Sequence, residues 1–168
     1  MLSSYFLFMN KPKKQKTKSA LDIAKFFIWK ASKEGKSITN KQLQKLLYYS
    51  QAWHLVYKEE PIFKEEIEAW VHGPAIKVVY NKYKKYGYRP IELKVNDAEI
   101  SDIPNQDLLE EIWRVYGKYD GDYLEQLSHN EDPWQNARGQ IHASVSSNNV
   151  ISLEDMKAYY SSLIKKSS

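Results

Sequence analysis

The residues able to do chemistry in this chain are few and scattered. Four histidines stand at 54, 72, 129 and 142, and that spacing does not imply a metal site. His129 with Glu131 and Asp132, in SHNEDPW, forms the one compact group that could be drawn as an acid/base cluster. The same residue types are ordinary helix ends and caps, and that is the stronger reading. No phosphate-binding G-x-x-x-x-G-K-[ST], dinucleotide G-x-G-x-x-G, zinc-protease H-E-x-x-H or nucleophile-elbow G-x-S-x-G occurs. The absence of cysteine removes disulfides, thiolate metal sites and cysteine nucleophiles together, and it fits a reducing, cytoplasmic setting. These features assign no catalytic residue, metal ligand or cofactor, and the expectation is a protein that is not an enzyme.

Two stretches suggest binding instead. Lys82 to Arg89, KYKKYGYR, interleaves cations and tyrosines as a surface for single-stranded nucleic acid does. Core burial competes with that reading, because three of its tyrosines lie on or beside the apolar face of a helix. The second is AWVHGPAIKVVY, Ala69 to Tyr80. Its Gly73-Pro74 pair reads as a helix start, with Pro74 at the first helical position, where a missing N–H is no loss. Anion binding at the N–H groups that follow is weakened by the same proline, which removes a donor.

The elements that must position these residues are mainly helices. SALDIAKFFIWKASKEG, from Ser19, has apolar residues at helical spacing and stops at Gly35. Thr39 and Gln42 read as a capping box flanked by Ile38 and Leu43 as a staple. The helix over about 39–58 that follows places Leu43, Leu46, Leu47, Ser50, Trp53, His54 and Tyr57 on one face, with Tyr48, Leu55 and Val56 on others. A helix apolar nearly all round belongs at the centre of a fold. From Ala75, the residues Ile76, Val79, Tyr80, Tyr83 and Tyr86 share a narrow sector that excludes Lys77, Lys84 and Lys85. The segments 66–71 and 91–95 alternate as short strands do and would pair with each other.

Further helices follow Asn105 as a cap, Asp120 or Asp122, and Asp132 with Pro133 at the first position. SVSSNNV reads as a linker. Ser152 opens a last helix with Leu153, Met156, Tyr160 and Ile164 as its stripe. The predicted architecture is a mainly α, compact single-domain helical fold over 18–168, carrying a short two-stranded β element. Residues 1–17 read as a disordered basic tail, and Met9 would serve as a start as well as Met1. No apolar run reaches the roughly 18 residues of a membrane span.

Charge is distributed unevenly. Residues 1–90 carry 18 Lys and Arg against 7 Asp and Glu, whereas residues 91–151 carry 4 against 12. Such polarity either steers a charged partner to one side or is closed inside the fold by ion pairs.

Three blocks, LQKLLYYSQAW (Leu43 to Trp53), EAWVHGPAIKVVYNKYKKYG (Glu68 to Gly87) and LSHNEDPWQNAR (Leu127 to Arg138), resemble in order and spacing the signatures of the Panacea domain. That family is also known as the SocA-like or GepA-like phage-associated proteins. Leu43, Leu46, Leu47, Tyr48, Trp53, Trp70, Gly73, Pro74, Tyr80, Pro133 and Trp134 carry the resemblance as structural signature residues, and Ala75 replaces the valine of the usual Gly-Pro-Val. The resemblance implies an antitoxin that neutralises the protein toxin of an adjacent gene by direct binding. One relative delivers its toxin to a protease as an adaptor, and that is the alternative mode. A nucleic-acid-binding regulator using the basic first half is the alternative from a different class, with nucleic acid the weaker partner. The expected contact residues are the outward lysines Lys77, Lys84 and Lys85, with Tyr88 beside them.

Overall fold

The computed structural model describes residues 17–167; the expected basic tail lies, except for Thr17, outside them. Among the described residues the chain forms eight α-helices and one small antiparallel sheet.

Helix α1 (Ala20–Lys33) begins in a reciprocal cap, in which the Ser19 hydroxyl accepts from the Asp22 N–H and the Asp22 carboxylate accepts from the Ser19 N–H. Its face of Ile23, Ala24, Phe26, Phe27, Ile28 and Ala31 is buried, and each larger side chain contributes about 1.5–3 kcal/mol of burial. Helix α2 (Asn40–Lys58) is the central element: Asn40 and the run Gln42 to Leu55 are buried on every side. Thr39 caps it, accepting from the Gln42 N–H. The expected capping box is only half present, because the Gln42 amide is used elsewhere, donating to the carbonyls of Gly117 and Tyr119.

Strands β1 (Glu68–Trp70) and β2 (Gly73–Ala75) form a hairpin in the register Glu68 to Ala75, Ala69 to Pro74 and Trp70 to Gly73. This corrects two expectations. Pro74 does not start a helix; it sits in a strand, and α3 (Lys77–Tyr83) begins three residues later with Ile76 as its cap residue. Segment 91–95 does not pair with 66–71. Ile91 instead donates to the Ile38 carbonyl beside the start of α2. The other edge of β1 is met by the supposed linker, with Ala69 donating to Asn149 and Ile151 donating to Ile67. Alternation identified strand-like segments, but backbone groups left open by the packing decided the partners.

After α3 a 3-10 turn (Lys84–Tyr86) ends at Gly87. Then come α4 (Asp97–Ile100), α5 (Gln106–Tyr116), α6 (Gly121–His129), α7 (Asp132–Arg138) and α8 (Leu153–Lys166). Asp120 and Ser152 cap α6 and α8 through their side chains. Asn105 occupies the cap position of α5 without capping it, since its amide lies 3.0 Å from His54 Nε2. Helix α7 starts one residue early, with Glu131 as the cap residue and Pro133 in the first turn.

Helices α5, α6 and α8 pack around α2. Where α2, α5 and α8 meet, Tyr49 stacks on Tyr116 with ring centroids 4.0 Å apart, Trp53 meets Tyr160 edge to face, and the Trp53 indole N–H donates to the Tyr116 hydroxyl.

Candidate partner-binding site

The three sequence blocks converge on the hairpin. From α2, the Gln44 side chain accepts from the Ile76 N–H at 2.7 Å, and Lys45 donates to the Pro74 carbonyl at 3.1 Å. From α7, the Trp134 indole donates to the Trp70 carbonyl and Arg138 donates to the Ala69 carbonyl, with the same guanidinium also reaching His142 and Val145. Each bond satisfies a backbone group that two short strands leave open. Glycine is required at 73 for two reasons. Its φ is +90°, and an added Cβ would lie 2.7 Å from Lys45 Cε and 3.0 Å from Ser128 Oγ.

On the outer side of this junction a groove of about 380 Å³ opens between α2, the hairpin and α3. Trp70, Tyr80 and Tyr88 give it aromatic walls; Lys41, Lys84 and His72 also line it, with Lys41 and His72 both in contact with Glu125. Tyr80 is 40% exposed, with its ring edge to face on Trp70 at 5.0 Å. It therefore leaves the buried side of α3, which consists of Val79 and Tyr83 and is preceded by the buried cap residue Ile76. Helix α3 ends at Tyr83, so the wheel drawn as far as Tyr86 does not apply. Trp70 is half-buried, and its indole donates to Glu68. Leu43, Leu46, Leu47, Tyr48, Trp53, Pro133 and Trp134 are all buried scaffold.

The expected contact residues divide by position. Lys77, Lys84, Lys85 and Tyr88 are all exposed, Tyr88 at 91%. Only Lys84 and Tyr88 line the groove; Lys85 instead lies over the Tyr86 ring at 5.0 Å. In KYKKYGYR, Tyr83 is buried and the Tyr86 hydroxyl donates to the Glu92 carbonyl, which leaves Tyr88 as the one fully exposed ring of the three.

Much of the charge asymmetry is closed within the molecule. Lys18 pairs with Asp102, Lys25 with Glu99, Lys30 with Glu110, Lys33 with Asp97 and Lys41 with Asp122 and Glu125. Lys77, Lys82, Lys84 and Lys85 on and after α3 take no part in the ion pairs found among the described residues.

The acid/base pair suggested by SHNEDPW does not form. His129 stacks on Trp134 at 4.0 Å, and burial lowers its pKa. Glu131 turns into the core, where the hydroxyls of Tyr48, Tyr49 and Tyr160 all donate to its carboxylate. Burial raises its pKa to about 7, against the three tyrosine hydrogen bonds, which lower it. This group lines no part of the groove. No cluster of three or more metal-ligating side chains occurs among the described residues, and no described helix is long and apolar enough to cross a membrane.

The residue missed by sequence reading is Lys45. It is 2% exposed, and burial lowers its pKa to about 7. The available signal was a lone lysine inside the apolar run LQKLLYY.

Residues 43–135, which run from α2 into α7 and include the hairpin, match the model of the family described as Antitoxin SocA-like, Panacea domain. The chain belongs to this family. It is similar to Antitoxin SocA of Caulobacter vibrioides (strain NA1000 / CB15N), with 32% identity over 127 residues, covering 67% of this chain and 66% of that protein. The match therefore spans just under two thirds of the relative's own length. No solved structure matches the chain.

Proposed function

We propose that this chain is the antitoxin of a toxin–antitoxin pair, neutralising a protein toxin encoded by the neighbouring gene through direct binding, without catalysis. The observation that carries this reading is the family match across α2 to α7, together with the similarity to a protein named as an antitoxin. The geometry supports it. The shared blocks hold a hairpin rigidly, and beside it they expose aromatic rings and lysines that internal pairing leaves available, a composition suited to a protein interface. The acidic candidate of a catalytic reading is sealed in the core by three tyrosines, away from the open groove.

Co-expression with the neighbouring gene tests the proposal. Growth should be restored, and the two proteins should co-elute as a stable complex. If toxin is cleared from cells only when a protease is present, neutralisation proceeds by delivery and not by sequestration. If no neighbouring product binds or is neutralised, the antitoxin reading is wrong.

A further inference from the structure

Lys45 carries a buried amino group with an incomplete set of acceptors. When protonated it has three N–H donors, and among the described residues one hydrogen bond from it is found, to the Pro74 carbonyl. Burying a charge without full pairing is unfavourable, and the hydrophobic isostere methionine would fill the same space. The surroundings are nevertheless shaped around the ammonium: Gly73 leaves the space it occupies, since a Cβ there would approach Nζ to 3.1 Å.

The same lysine lines the groove, whose lining residues include three lysines and a histidine but no Asp or Glu. A nearby carboxylate, Glu125, contacts Lys41 and His72, which themselves line the groove, and its charge acts on Lys45 without a hydrogen bond to it. Around this site stand Trp70, Tyr80 and Tyr88, which resembles an interface hot spot in which apolar rings exclude water from one central charge.

We propose that the groove is a carboxylate-binding site, and that its occupant is an Asp or Glu side chain of the protein partner, seated on the Lys45 ammonium with an adjoining apolar residue against Trp70 and Tyr80. A carboxylate fits better than a phosphate. One ammonium with two spare donors, held among aromatic walls, matches two acceptor oxygens of a single negative charge, and no arginine is present to hold a phosphate in fork geometry. The nature of the occupant rests on the antitoxin reading; the site itself does not.

Two measurements test it separately. In the first, the full chain with isotope-labelled lysines is titrated with N-acetyl-aspartyl amide while the Lys45 Cε and Nζ resonances are followed. A saturable shift is expected, with the Lys45 titration moving to higher pH, and N-acetyl-asparaginyl amide should produce neither. No response, an equal response to both compounds, or a response only to inorganic phosphate overturns the carboxylate site.

The second compares wild type with Lys45→Met for affinity to the neighbouring-gene toxin. The substitution keeps the volume and removes the buried charge, so the melting temperature should hold or rise, while affinity should fall about thirtyfold or more. Full affinity in a folded Lys45→Met protein overturns the assigned occupant and leaves the antitoxin reading intact. If wild type binds no neighbouring product, that reading fails, and the titration still decides the groove.

Discussion

The Lys45 amino group donates to the carbonyl oxygen of Pro74 at 3.1 Å from a side chain only 2% exposed, so two blocks separated in sequence meet through a buried titratable group. Burial lowers the folded pKa from 10.5 to about 7. Between those values the unfolded chain holds a proton that the folded chain has released, and stability rises with pH across the window. Urea unfolding at a series of pH values from 7 to 9.5 should show this rise, and Lys45→Met should abolish it. The range stops short of tyrosine ionisation, where buried Tyr48, Tyr49 and Tyr160, with raised pKa values, impose the opposite slope.

Glu131 carries the reverse sign. Its folded pKa is raised from 4.5 to about 7, so the folded state retains a proton that the unfolded state has lost. Stability is greatest below pH 4.5, as far as this group is concerned, and falls as pH rises to 7, by an amount on the order of 3 kcal/mol. Glu131→Gln should remove most of that dependence. An unchanged slope between pH 4.5 and 7 in the variant would assign the dependence elsewhere.

Gly73→Ala should be more damaging than Gly35→Ala, although both glycines have positive φ. At Gly35, φ is +64° and an added Cβ meets nothing within 4 Å, so backbone strain acts alone. At Gly73 the methyl group also meets Lys45 and Ser128. Strain costs about 1 kcal/mol or somewhat more at either position, and the clash adds to it at Gly73. Thermal unfolding of the two variants side by side checks the order.

Reversing Lys77, Lys84 and Lys85 to Glu should slow association with the neighbouring-gene toxin and flatten its dependence on salt, with the melting temperature retained, because all three are exposed and outside the ion pairs described above. Of the single changes, Lys84→Glu should have the largest effect, since only Lys84 lines the groove. Association rates at matched concentrations, measured at low and high ionic strength, distinguish these outcomes. Equal rates for the triple variant and wild type would remove this face from the interface.

Trp134→Ala should cost roughly 3–5 kcal/mol as a truncation of a buried aromatic ring, because Trp134 is 6% exposed, stacks on His129 and ties Trp70 through its indole N–H. Trp70→Ala should cost less stability, as Trp70 is half-buried and faces Tyr80 at the groove. Denaturant unfolding of the two variants ranks them.

The sequence by itself determined the helical class, the central position of α2 and most helix starts, because these depend on short-range physics: apolar spacing near 3.6 residues and side chains that cap the N–H groups within three residues. Ser152, Asp120 and Thr39 act where local rules place them. The order and spacing of the three blocks also carried the family. Tertiary structure alone decided what the blocks do together. Whether Gly73-Pro74 starts a helix or turns into a strand depends on acceptors and donors supplied by Gln44, Lys45 and Arg138 from distant helices. Strand partners came from segment 149–151, Asn-Val-Ile, which is too short to show alternation. A lysine in an apolar run and a glutamate beside a helix start look ordinary in a sequence; their burial, and hence their shifted protonation, is created only when elements far apart in the chain close over them.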